Sequence, residues 1–461
     1  MLDVAVIGSG LSGSAIAAEL EGSGLDYRVL EAGPDLGHVH IGATRETWAL
    51  EAPDGDPCFE PFLPAHPGWY GRGSGYRARV GGRGLYWRGI SLRLEDSALV
   101  DWPAPVRAAL IGDETREGDY ARAERDIQTW MGGLAMSAPR TATEVTLSEQ
   151  LTVAGFPAHP TPRAIRVRQD GGWEAYSPLH LVPSARILAG HRATTVFPLS
   201  SVGYRINVRT PHGPEVVEAE QVVLCAGAFR NAELVDDMLR RVPGAAPSSR
   251  YPLLDHVATG LVSVDRRRRP EHVDTSVYAG HHPHLASNLF VEQQAVDDDV
   301  LWDLWAMGEQ AAEAASTLSV GEGARVVLDA DAQSTLDELT HGHRKLLDAA
   351  AEALGLTAIA SEEIVDFDAA VRRARDNPGV GFRYRATLGE LDHECGCLPL
   401  DGPIVDTIGQ LKAFPGAFVG GPSLFPRAGA ANPSLTTLAL AKYLAAQLIR
   451  RAGVSSASTA R

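Results

Sequence analysis

The sequence predicts an α/β protein with a Rossmann-like dinucleotide-binding unit, and three observations lead to that prediction. The N-terminus runs in the order strand, glycine-rich turn, helix, strand, acidic residue. An apolar segment at 222–228 ends in small residues, and 417–436 passes from a third apolar segment through glycines into a helix. Because these segments lie far apart in the chain, we expect a unit built from discontinuous segments.

The N-terminal strand and turn form the first element. The apolar run Val4–Ile7 suits a buried parallel strand. Gly8, Gly10 and Gly13 follow in GxGxxG spacing. The first allows a tight turn, the second lets the backbone approach a pyrophosphate, and the third lets the helix predicted over 14–20 pack on the strand. The N-terminus of that helix offers N–H groups and a positive dipole end to phosphates.

The second strand ends in an acidic residue. Tyr27–Leu30 is a short apolar strand, and Glu31 lies 18 positions after Gly13, where an acid accepts hydrogen bonds from the adenosine ribose. A lone GxGxxG is weak evidence, but here the whole strand, turn, helix, strand and acid context is present. The run Glu31-Ala32-Gly33 is also a regularity of FAD enzymes.

Two later segments repeat the pattern of a strand followed by small residues. The strand predicted at 222–225 runs into the turn of Ala226 and Gly227, and the alternation at 193–202 and 204–209 predicts a hairpin leading into it. Near the C-terminus a strand at 417–419 precedes Gly420-Gly421, and Asn432 opens a helix whose apolar residues recur at helical spacing over 437–450. These turns are a second plausible contact for a cofactor.

Composition excludes several classes. The 461 residues can bury a large core without disulfides or metals. Hydrophobic residues make up 44% and charged residues 22%, which is typical of a globular protein. The net charge of −16 argues against nucleic acid or an anionic membrane as a partner, since both attract a basic face.

Cysteine use and the N-terminus indicate a cytoplasmic location. Four cysteines are too few for a disulfide framework, and the spacing of Cys395 and Cys397 does not fit a zinc site. The N-terminus lacks a basic region followed by an apolar one, and no apolar run reaches the roughly 20 residues that span a bilayer. We therefore expect no metal site and no membrane association.

Taken together, these segments resemble the glucose–methanol–choline oxidoreductases, and within them the pyranose oxidase branch. The resemblance rests on the N-terminal motif, on the segment Arg-Val-Gly-Gly-Arg-Gly-Leu-Tyr-Trp at 79–87, and on Phe-Val-Gly-Gly at 418–421 with Ala-Asn-Pro-Ser-Leu-Thr at 431–436. Asp255-His256 and Val405-Asp406 with Gly409 also match the family. The resemblance covers about half of the chain, and 100–160 and 258–385 match nothing that we can assign.

The resemblance implies the fold and its division. It implies a Rossmann-like FAD-binding domain from 1–99, 164–257 and 386–455, and an α+β substrate-binding domain with a mostly antiparallel sheet from 100–163 and 258–385. Residues 456–461 would form a disordered tail. The residues expected to contact FAD are Gly8, Gly10, Leu11, Ser12, Gly13, Glu31, Ala32, Arg79, Gly81, Gly82, Leu85, Tyr86, Trp87, Val202, Ala226, Gly227, Gly421, Asn432, Pro433 and Ser434.

This sequence departs from the family at several positions. Tyr86 aligns with the histidine that carries a covalent flavin in some pyranose oxidases, so we expect non-covalent FAD. Gly84 replaces the serine of the Gly-Gly-x-Ser segment. The segment at 393–397 keeps the family's His and Gly, but it has Cys397 in place of Thr, and Pro399 stands in place of Arg.

The resemblance assigns the catalytic pair to His393 and Asn432. Removing a hydride from an alcohol carbon requires the hydroxyl proton to leave, and a neutral imidazole suits the task of accepting it. His393 is the candidate base, and the amide of Asn432 would hydrogen-bond the same oxygen. Asn432 also stands before Pro433 at the start of a helix, where it fits a cap; both roles can hold together.

The predicted function is oxidation of a hydroxyl-bearing carbon to a carbonyl on a sugar, glycoside, aminosugar or nucleoside. The electron acceptor, O2 or another compound, and the oligomeric state stay open. Only three of the 42 basic residues are lysines, a bias similar to high-GC actinobacterial proteins, so a role in natural-product biosynthesis is reasonable. The alternatives are an atypical flavin reaction (carbon–carbon dehydrogenation or a redox-neutral step) and a non-catalytic flavin-bound protein.

A few residues leave two interpretations open. Cys395 and Cys397 could form a redox-active disulfide, although packing beside His393 is the expected role. Trp69-Tyr70 and the pair Trp302 and Trp305 could each form a substrate wall or pack in the core. For Trp302 and Trp305 the three-residue spacing favours core packing on a helix. The arginine run at 266–269 is expected to be a solvated turn.

Overall fold

A computed structural model describes residues 1–41, 55–62, 74–168, 172–199, 202–241, 250–266, 275–296, 299–320, 325–327, 330–363, 366–386 and 388–453. The positions Trp69-Tyr70, 267–269 of the arginine run and the expected tail at 456–461 lie outside the described residues.

The strands and helices are numbered in chain order. The strands are β1 (Leu2–Ile7), β2 (Tyr27–Leu30), β3 (Phe59–Pro61), β4 (Gly75–Arg77), β5 (His159–Pro160), β6 (Ile165–Val167), β7 (Trp173–Ala175), β8 (Ile187–Leu188), β9 (Arg192–Pro198), β10 (Tyr204–Thr210), β11 (Gly213–Leu224), β12 (Arg250–Leu253), β13 (His256–Asp265), β14 (Thr275–His282), β15 (Ser287–Val296), β16 (Asp299–Glu309), β17 (Ser316–Ser319), β18 (Arg325–Val327), β19 (Ile359–Glu363), β20 (Gly381–Arg385) and β21 (Ala417–Val419). The helices are α1 (Leu11–Glu21), α2 (Asp96–Leu99), α3 (Ala104–Ile111), α4 (Asp119–Trp130), α5 (Ala142–Val153), α6 (Ala228–Arg240), α7 (Ala330–Ala353), α8 (Phe367–Asp376) and α9 (Pro433–Arg451).

The first large sheet is the predicted Rossmann-like unit. Strands β8, β2, β1 and β11 pair in parallel in that order, and β21 adds in parallel to the C-terminal end of β11. The N-terminal half of β11 pairs antiparallel with β10, which pairs with β9 as the predicted hairpin. Helices α1 and α9 pack against each other, and α4 packs on α9. The parallel strands therefore end at one edge of the sheet, next to the starts of α1 and α9.

The second large sheet is mostly antiparallel and has the order β19-β20-β13-β16-β15-β14-β5. Only the pair β19–β20 in it is parallel. Helices α5, α7 and α8 pack on this sheet, while alternate residues of β15 and β16 line a cavity that also reaches the first sheet. The predicted boundary between residues 257 and 258 falls inside β13, whose first residue is His256.

The fold class is confirmed, since a Rossmann-like unit from distant segments stands beside a mostly antiparallel sheet. The helix expected for Trp302 and Trp305 is wrong, because both lie on β16. Three residues apart on a strand, they point to opposite faces. Trp302 is 3% exposed, and Trp305 stacks on Phe290 with ring centroids 4.2 Å apart. Both faces of β16 are buried, so the strand lacks the alternation that would have revealed it.

Candidate active site

The glycine turn after β1 has the geometry that a dinucleotide requires. Gly8 has a φ of +102°, and a Cβ on it would lie 2.5 Å from the carbonyl oxygen of Cys225. A Cβ on Gly13 would lie 1.9 Å from the carbonyl oxygen of Gly8, so the helix can sit this close only without a side chain there. Gly10, by contrast, has nothing within 4 Å of a Cβ position. The open space is at the position where the backbone would approach a pyrophosphate.

Helix α1 begins without a side-chain cap. Gly10 occupies the N-cap position and makes no side-chain hydrogen bond to the first turn. The N–H groups of that turn are those that a helix leaves without internal partners, and they carry its positive dipole end. Leu11 and Ser12, the first residues of the turn, line the cavity. An anionic group bound there would meet these donors.

Glu31 is buried and links the turn to a second glycine segment. Its Oε2 accepts hydrogen bonds from the backbone N–H (3.0 Å) and the hydroxyl (2.6 Å) of Ser9, and its Oε1 accepts from the N–H of Gly33 at 2.9 Å. Burial raises the pKa of Glu31, which these hydrogen bonds partly oppose. The N–H of Gly81 donates to the Ser9 hydroxyl at 2.9 Å. The carboxylate therefore fixes the turn and still faces the cavity.

One cavity of about 530 Å³ joins the two large sheets. Fifteen of the twenty residues expected to contact the cofactor line it: Gly8, Gly10, Leu11, Ser12, Glu31, Ala32, Gly82, Tyr86, Trp87, Ala226, Gly227, Gly421, Asn432, Pro433 and Ser434. His393 lines it as well. The residues at the ends of β1, β2, β11 and β21 are thus brought together, as expected for a ligand at the carboxyl ends of parallel strands.

The other five expected cofactor contacts are not among the lining residues. Gly13 lies beneath the turn, and Gly81 faces Ser9. Arg79 is buried and donates to the carbonyl of Gly37 at 3.1 Å. Leu85 packs in a small apolar cluster with Val80 and Leu179. Val202 is 68% exposed, because the hairpin of β9 and β10 reaches the cavity at its opposite end, through Arg192 and Ala193.

His393 and Asn432 meet in the cavity although 39 residues separate them. The side-chain nitrogen of Asn432 lies 3.4 Å from Nε2 of His393. Asn432 stands at the N-cap position of α9, but its side chain makes no cap hydrogen bond. It is 8% exposed, and its Oδ1 has no hydrogen-bond partner among the described residues; the same holds for Nδ1 of His393. The amide is therefore available to a ligand rather than to the helix.

A second histidine lies behind His393. The rings of His256 and His393 meet edge to face, with centroids 4.9 Å apart. Nε2 of His256 hydrogen-bonds the carbonyl oxygen of Gly429 at 2.8 Å, which ties this histidine to the loop before α9. Burial lowers the pKa of His256 to about 4. Burial, followed by the charges of His256 and Arg83, lowers the pKa of His393 well below its ordinary value. Both rings are neutral at neutral pH.

The loop before α9 is held by two carboxylates, one buried and one partly buried. Glu309 accepts hydrogen bonds from Arg427 and, at 2.9 Å, from the N–H of Gly429. Glu95 accepts at 3.0 Å from the N–H of Ala430. These contacts come from β16 and from the segment before α2. They fix the loop that presents Asn432.

The second sheet contributes polar and aromatic residues to the far part of the cavity. Glu292 and Asp303 are register partners on β15 and β16, and both line the cavity with Trp305. The hydroxyl of Tyr384 donates to Asp303 at 2.9 Å, and that of Ser276 donates to Glu292 at 3.0 Å. Burial, and then the charge of Glu292, raises the pKa of Asp303 to about 8.

All four cysteines are free and buried. The thiol of Cys397 donates to the carbonyl oxygen of Ala228 at 3.1 Å, and Cys395 forms a backbone bridge with Leu254. Packing is therefore the role that the structure shows for Cys395 and Cys397, and no disulfide joins them.

Comparisons with known proteins agree with this geometry. The description "NAD(P)-binding Rossmann-like domain" matches residues 6–50. A curated relative, paromamine 6'-oxidase of Streptomyces fradiae, is 30% identical over 223 residues, which is 42% of this chain and 36% of the relative. The solved structure of pyridoxine 4-oxidase from "Mesorbium loti" superposes with a TM-score of 0.65 at 18% identity, covering 97% of this chain and 99% of the other.

The match at residues 6–50 shows a dinucleotide-binding Rossmann-like domain in the N-terminal part of the chain. The match to the curated relative spans only about a third of that protein's length, so its activity is not transferred by the comparison itself. The match to the solved structure shows the fold over nearly the whole chain. A Rossmann-like domain of this kind implies a dinucleotide cofactor.

The residues present fit a flavin dinucleotide. The space beside Gly10, the uncapped start of α1 and the unpartnered Oδ1 of Asn432 all face one cavity. Tyr86, which the sequence resemblance aligns with the flavin-bearing histidine of some pyranose oxidases, lines it as well. Its hydroxyl donates to Asp56 at 2.7 Å, and burial raises its pKa further above its ordinary value. Such a phenol is a poor nucleophile at neutral pH.

Sequence reasoning missed several lining residues. Arg83, Arg192, Glu292 and Asp303 all face the cavity, as does Trp305, for which a substrate wall was the alternative to core packing. Arg83 stands inside the Gly-Gly segment, where the family resemblance assigns it no role. The others carry no local motif, and only the pairing of the strands brings them to the cavity.

In the described part of the chain, no helix combines the length and the apolar character needed to cross a membrane.

Proposed function

We propose that the protein is an FAD-dependent oxidoreductase that removes a hydride from a hydroxyl-bearing carbon of a sugar-containing substrate and leaves a carbonyl. The observation that carries the proposal is the pair of His393 and Asn432, 3.4 Å apart in a cavity that begins at the glycine turn of β1. When bound, FAD supplies the two-electron acceptor for the hydride.

FAD would be held without a covalent bond, on the evidence of Tyr86. The first turn of α1 and Gly10 would meet its pyrophosphate, and Glu31 would meet the adenosine ribose. Ala226, Gly227 and the start of α9 line the same cavity, and their small side chains leave room for a flat ring system.

His393 would act as the base. Its low pKa keeps the imidazole neutral, so a nitrogen lone pair is available to accept the hydroxyl proton as the carbon is oxidised. The amide of Asn432 would hydrogen-bond the same oxygen and fix its position. The neutral ring of His256 closes the site behind His393, which keeps water away from the proton being moved.

The far part of the cavity favours a substrate with amino groups. Glu292 and Asp303 face it from adjacent strands, and a protonated amine would compensate the cost of burying their charges. Arg88 also lines the cavity and opposes the raised pKa of Asp303, so the acidic character is reduced but not cancelled. The curated relative is named for its action on paromamine, an aminosugar. We therefore infer an aminosugar or aminosugar glycoside, processed in specialised metabolism.

An anaerobic bleaching screen tests the proposal. Purified yellow protein is mixed without oxygen with sugars, glycosides, aminosugars and nucleosides, and loss of the oxidised flavin absorbance is followed. Bleaching by a hydroxyl compound with formation of its carbonyl product is expected. If no compound in these classes reduces the flavin, the proposal is wrong, and a non-catalytic flavoprotein or another reaction takes its place. Peroxide formation on readmitting air separates an oxidase from a dehydrogenase.

His393→Ala tests the assignment of the base. The variant should keep FAD but reduce it about a hundredfold more slowly or worse, which is the low end of acid–base contributions. His180→Ala is a suitable control because His180 is exposed and is not among the cavity-lining residues. A His393→Ala variant that reduces its flavin at the normal rate would contradict the role of the imidazole.

A further inference from the structure

Arg83 forms ion pairs with the residues on both sides of His393. One guanidinium nitrogen, Nη1, lies 2.8 Å from Oδ1 of Asp392, and the other, Nη2, lies 2.5 Å from Oε2 of Glu394. The two carboxylates belong to the residues immediately before and after His393. A planar fork with two donors is suited to span two acceptors in this way, and a single ammonium is not.

The loop that carries His393 has an unusual backbone conformation at Asp392. Asp392 has a φ of +59°, a left-handed conformation that a non-glycine residue seldom adopts. Glu394 is 1% exposed, and its Oε1 has no partner among the described residues. Such a conformation persists only where neighbouring contacts hold it. The ion pair of Arg83 with Asp392 is a direct contact of that kind.

Arg83 itself stands on the cofactor side of the cavity. It lies in the short 3-10 turn Gly82–Leu85, which packs against the glycine turn of β1. A Cβ on Gly82 would lie 3.5 Å from Cα of Gly10, and a Cβ on Gly84 would lie 3.0 Å from the side chain of Leu11. The turn that carries Arg83 therefore rests on the residues expected to meet the pyrophosphate.

We propose that Arg83 is a positioning residue that ties the cofactor-side turn to the loop of His393 and so sets the orientation and the protonation of the imidazole. The expected effect on the rate of flavin reduction rests on the proposed function, but the two ion pairs of Arg83 form without any substrate. Arg83 acts through His393 and needs no contact with the reacting atoms.

The positive charge of Arg83 also favours the neutral form of His393. Burial is the main cause of the low pKa of His393, and the electrostatic effects of His256 and of the Arg83 guanidinium lower it further. Removing the guanidinium therefore raises the pKa of His393. Since only the neutral imidazole accepts a proton, activity should then be lost at a higher pH as the solution is acidified.

Two substitutions separate the effect of the positive charge of Arg83 from that of its two-pronged guanidinium group. Arg83→Met removes both, while Arg83→Lys keeps the charge but cannot bridge the two carboxylates. Arg122 is a matched control, because its Nη1 and Nη2 bridge Asp119 and Glu19 at 2.8 Å and 2.7 Å, with 29% of the side chain exposed against 23% for Arg83. Arg122 is not among the residues that line the cavity. Arg122→Met and Arg122→Lys therefore measure how the loss of a bridging guanidinium changes protein stability without a change at the cavity.

Three measurements are made on the FAD-loaded protein. Hydrogen exchange followed by mass spectrometry should show faster exchange at 389–396 in both Arg83 variants, without faster exchange across the Rossmann-like sheet. NMR titration of histidine-labelled protein, with the His393 signal assigned from His393→Ala, should give a higher pKa for His393 in Arg83→Met but not in Arg83→Lys. With an active substrate, flavin reduction should slow by about tenfold to a hundredfold, as expected for a misplaced base.

The outcomes are distinct. Unchanged exchange at 389–396 in both Arg83 variants, or an unchanged His393 pKa in Arg83→Met, overturns the proposal. Loss of FAD with normal exchange and titration makes Arg83 a cofactor ligand instead, which also overturns it. If exchange in the Arg83 variants rises equally across the whole protein, to the extent seen in the Arg122 variants, the role of Arg83 is generally structural. That result also overturns the proposal. If no alcohol reduces the wild-type flavin, the proposed function fails, while the exchange and the titration still decide the role of Arg83.

Discussion

Gly13→Ala would place a methyl carbon 1.9 Å from the carbonyl oxygen of Gly8. Real Cβ contacts essentially never fall below 3.0 Å, so the start of α1 would have to move by more than 1 Å against backbone. Overpacking of this kind costs about 1–3 kcal/mol. Alanine returns at most about 1 kcal/mol through its higher helix propensity. We therefore expect a net loss of up to about 2 kcal/mol, and more if the turn cannot relax.

Gly10→Ala is the matched control, because no atom lies within 4 Å of its Cβ position. The backbone at Gly10, with φ of −62° and ψ of −173°, is allowed for alanine. This variant should melt at the wild-type temperature when free of cofactor. It should nevertheless bind FAD more weakly, because the methyl group occupies the space expected for the pyrophosphate. A loss of about 1–3 kcal/mol would correspond to roughly fivefold to 150-fold in Kd.

The assay is thermal unfolding of the cofactor-free proteins together with titration by FAD. At about 2.1 cal/mol/K of unfolding entropy per residue, the 461-residue chain shifts by roughly 1 °C per kcal/mol, so Gly13→Ala should lower Tm by about 1–2 °C. A Gly13→Ala protein as stable as the wild type would refute the packing account of that glycine. A Gly10→Ala protein that binds FAD with unchanged affinity would refute the placement of the pyrophosphate at Gly10, and with it the interpretation of the cavity's cofactor end.

Two further predictions concern the cavity. Acid precipitation of the yellow protein should leave all of the FAD in the supernatant, because Tyr86 stands where a histidine would anchor the flavin; flavin fluorescence in the precipitate would contradict this. For an amine-bearing substrate, KM should fall as the pH rises from 6 to 8 and Asp303, whose pKa burial raises to about 8, becomes ionised. Asp303→Asn should remove that dependence, and a neutral sugar should show none of it in either protein.

The glycine turn was predictable because its main requirements are local. Gly13 is required by its contact with the carbonyl oxygen of Gly8 in the same strand-turn-helix unit, and Gly8 is required by its φ of +102°, so the sequence spacing indicates both. The close approach of Gly8 to Cys225 is long-range and has no local signal. The pairing of His393 with Asn432 was also predicted, although only through the resemblance to a family. No local rule brings together two residues from separate loops.

Sequence patterns indicate least where long-range strand pairing decides the outcome. The resemblance implied a cofactor contact for Val202, but Val202 lies in the turn between β9 and β10, and Arg192 and Ala193 at the other end of this hairpin line the cavity. Trp302 and Trp305 have a spacing that suits one face of a helix and opposite faces of a strand. Since β16 is buried on both faces, its hydrophobic pattern does not distinguish the two.

The register of β15 with β16 also explains why the acidic residues of the second sheet escaped notice. Glu292 and Asp303 are eleven positions apart in sequence, and they become neighbours only because these strands pair antiparallel. Like charges placed directly opposite each other destabilise a sheet. Their presence on a cavity wall is the kind of local conflict that is expected at functional sites.

The burial of Asp303, to which the charge of Glu292 adds, has a measurable consequence for stability. The pKa of Asp303 is about 8 in the folded protein, against an ordinary value of 3.8, so the folded state favours the protonated carboxyl. The unfolded chain releases that proton first, and the folded state therefore loses stability as the pH rises from about 4 to about 8, by roughly 1.4 kcal/mol per pH unit.

Asp303→Asn removes this titration, so its gain in unfolding free energy over the wild type should grow from pH 5 to pH 8 and then level off. Asp299→Asn is the control, since Asp299 lies on the same strand but is not among the cavity-lining residues. Urea unfolding of the substrate-free proteins at four pH values measures the difference. A gain for Asp303→Asn that stays constant across this range would show that Asp303 is already ionised in the folded protein, and a raised pKa could then no longer explain a pH-dependent KM.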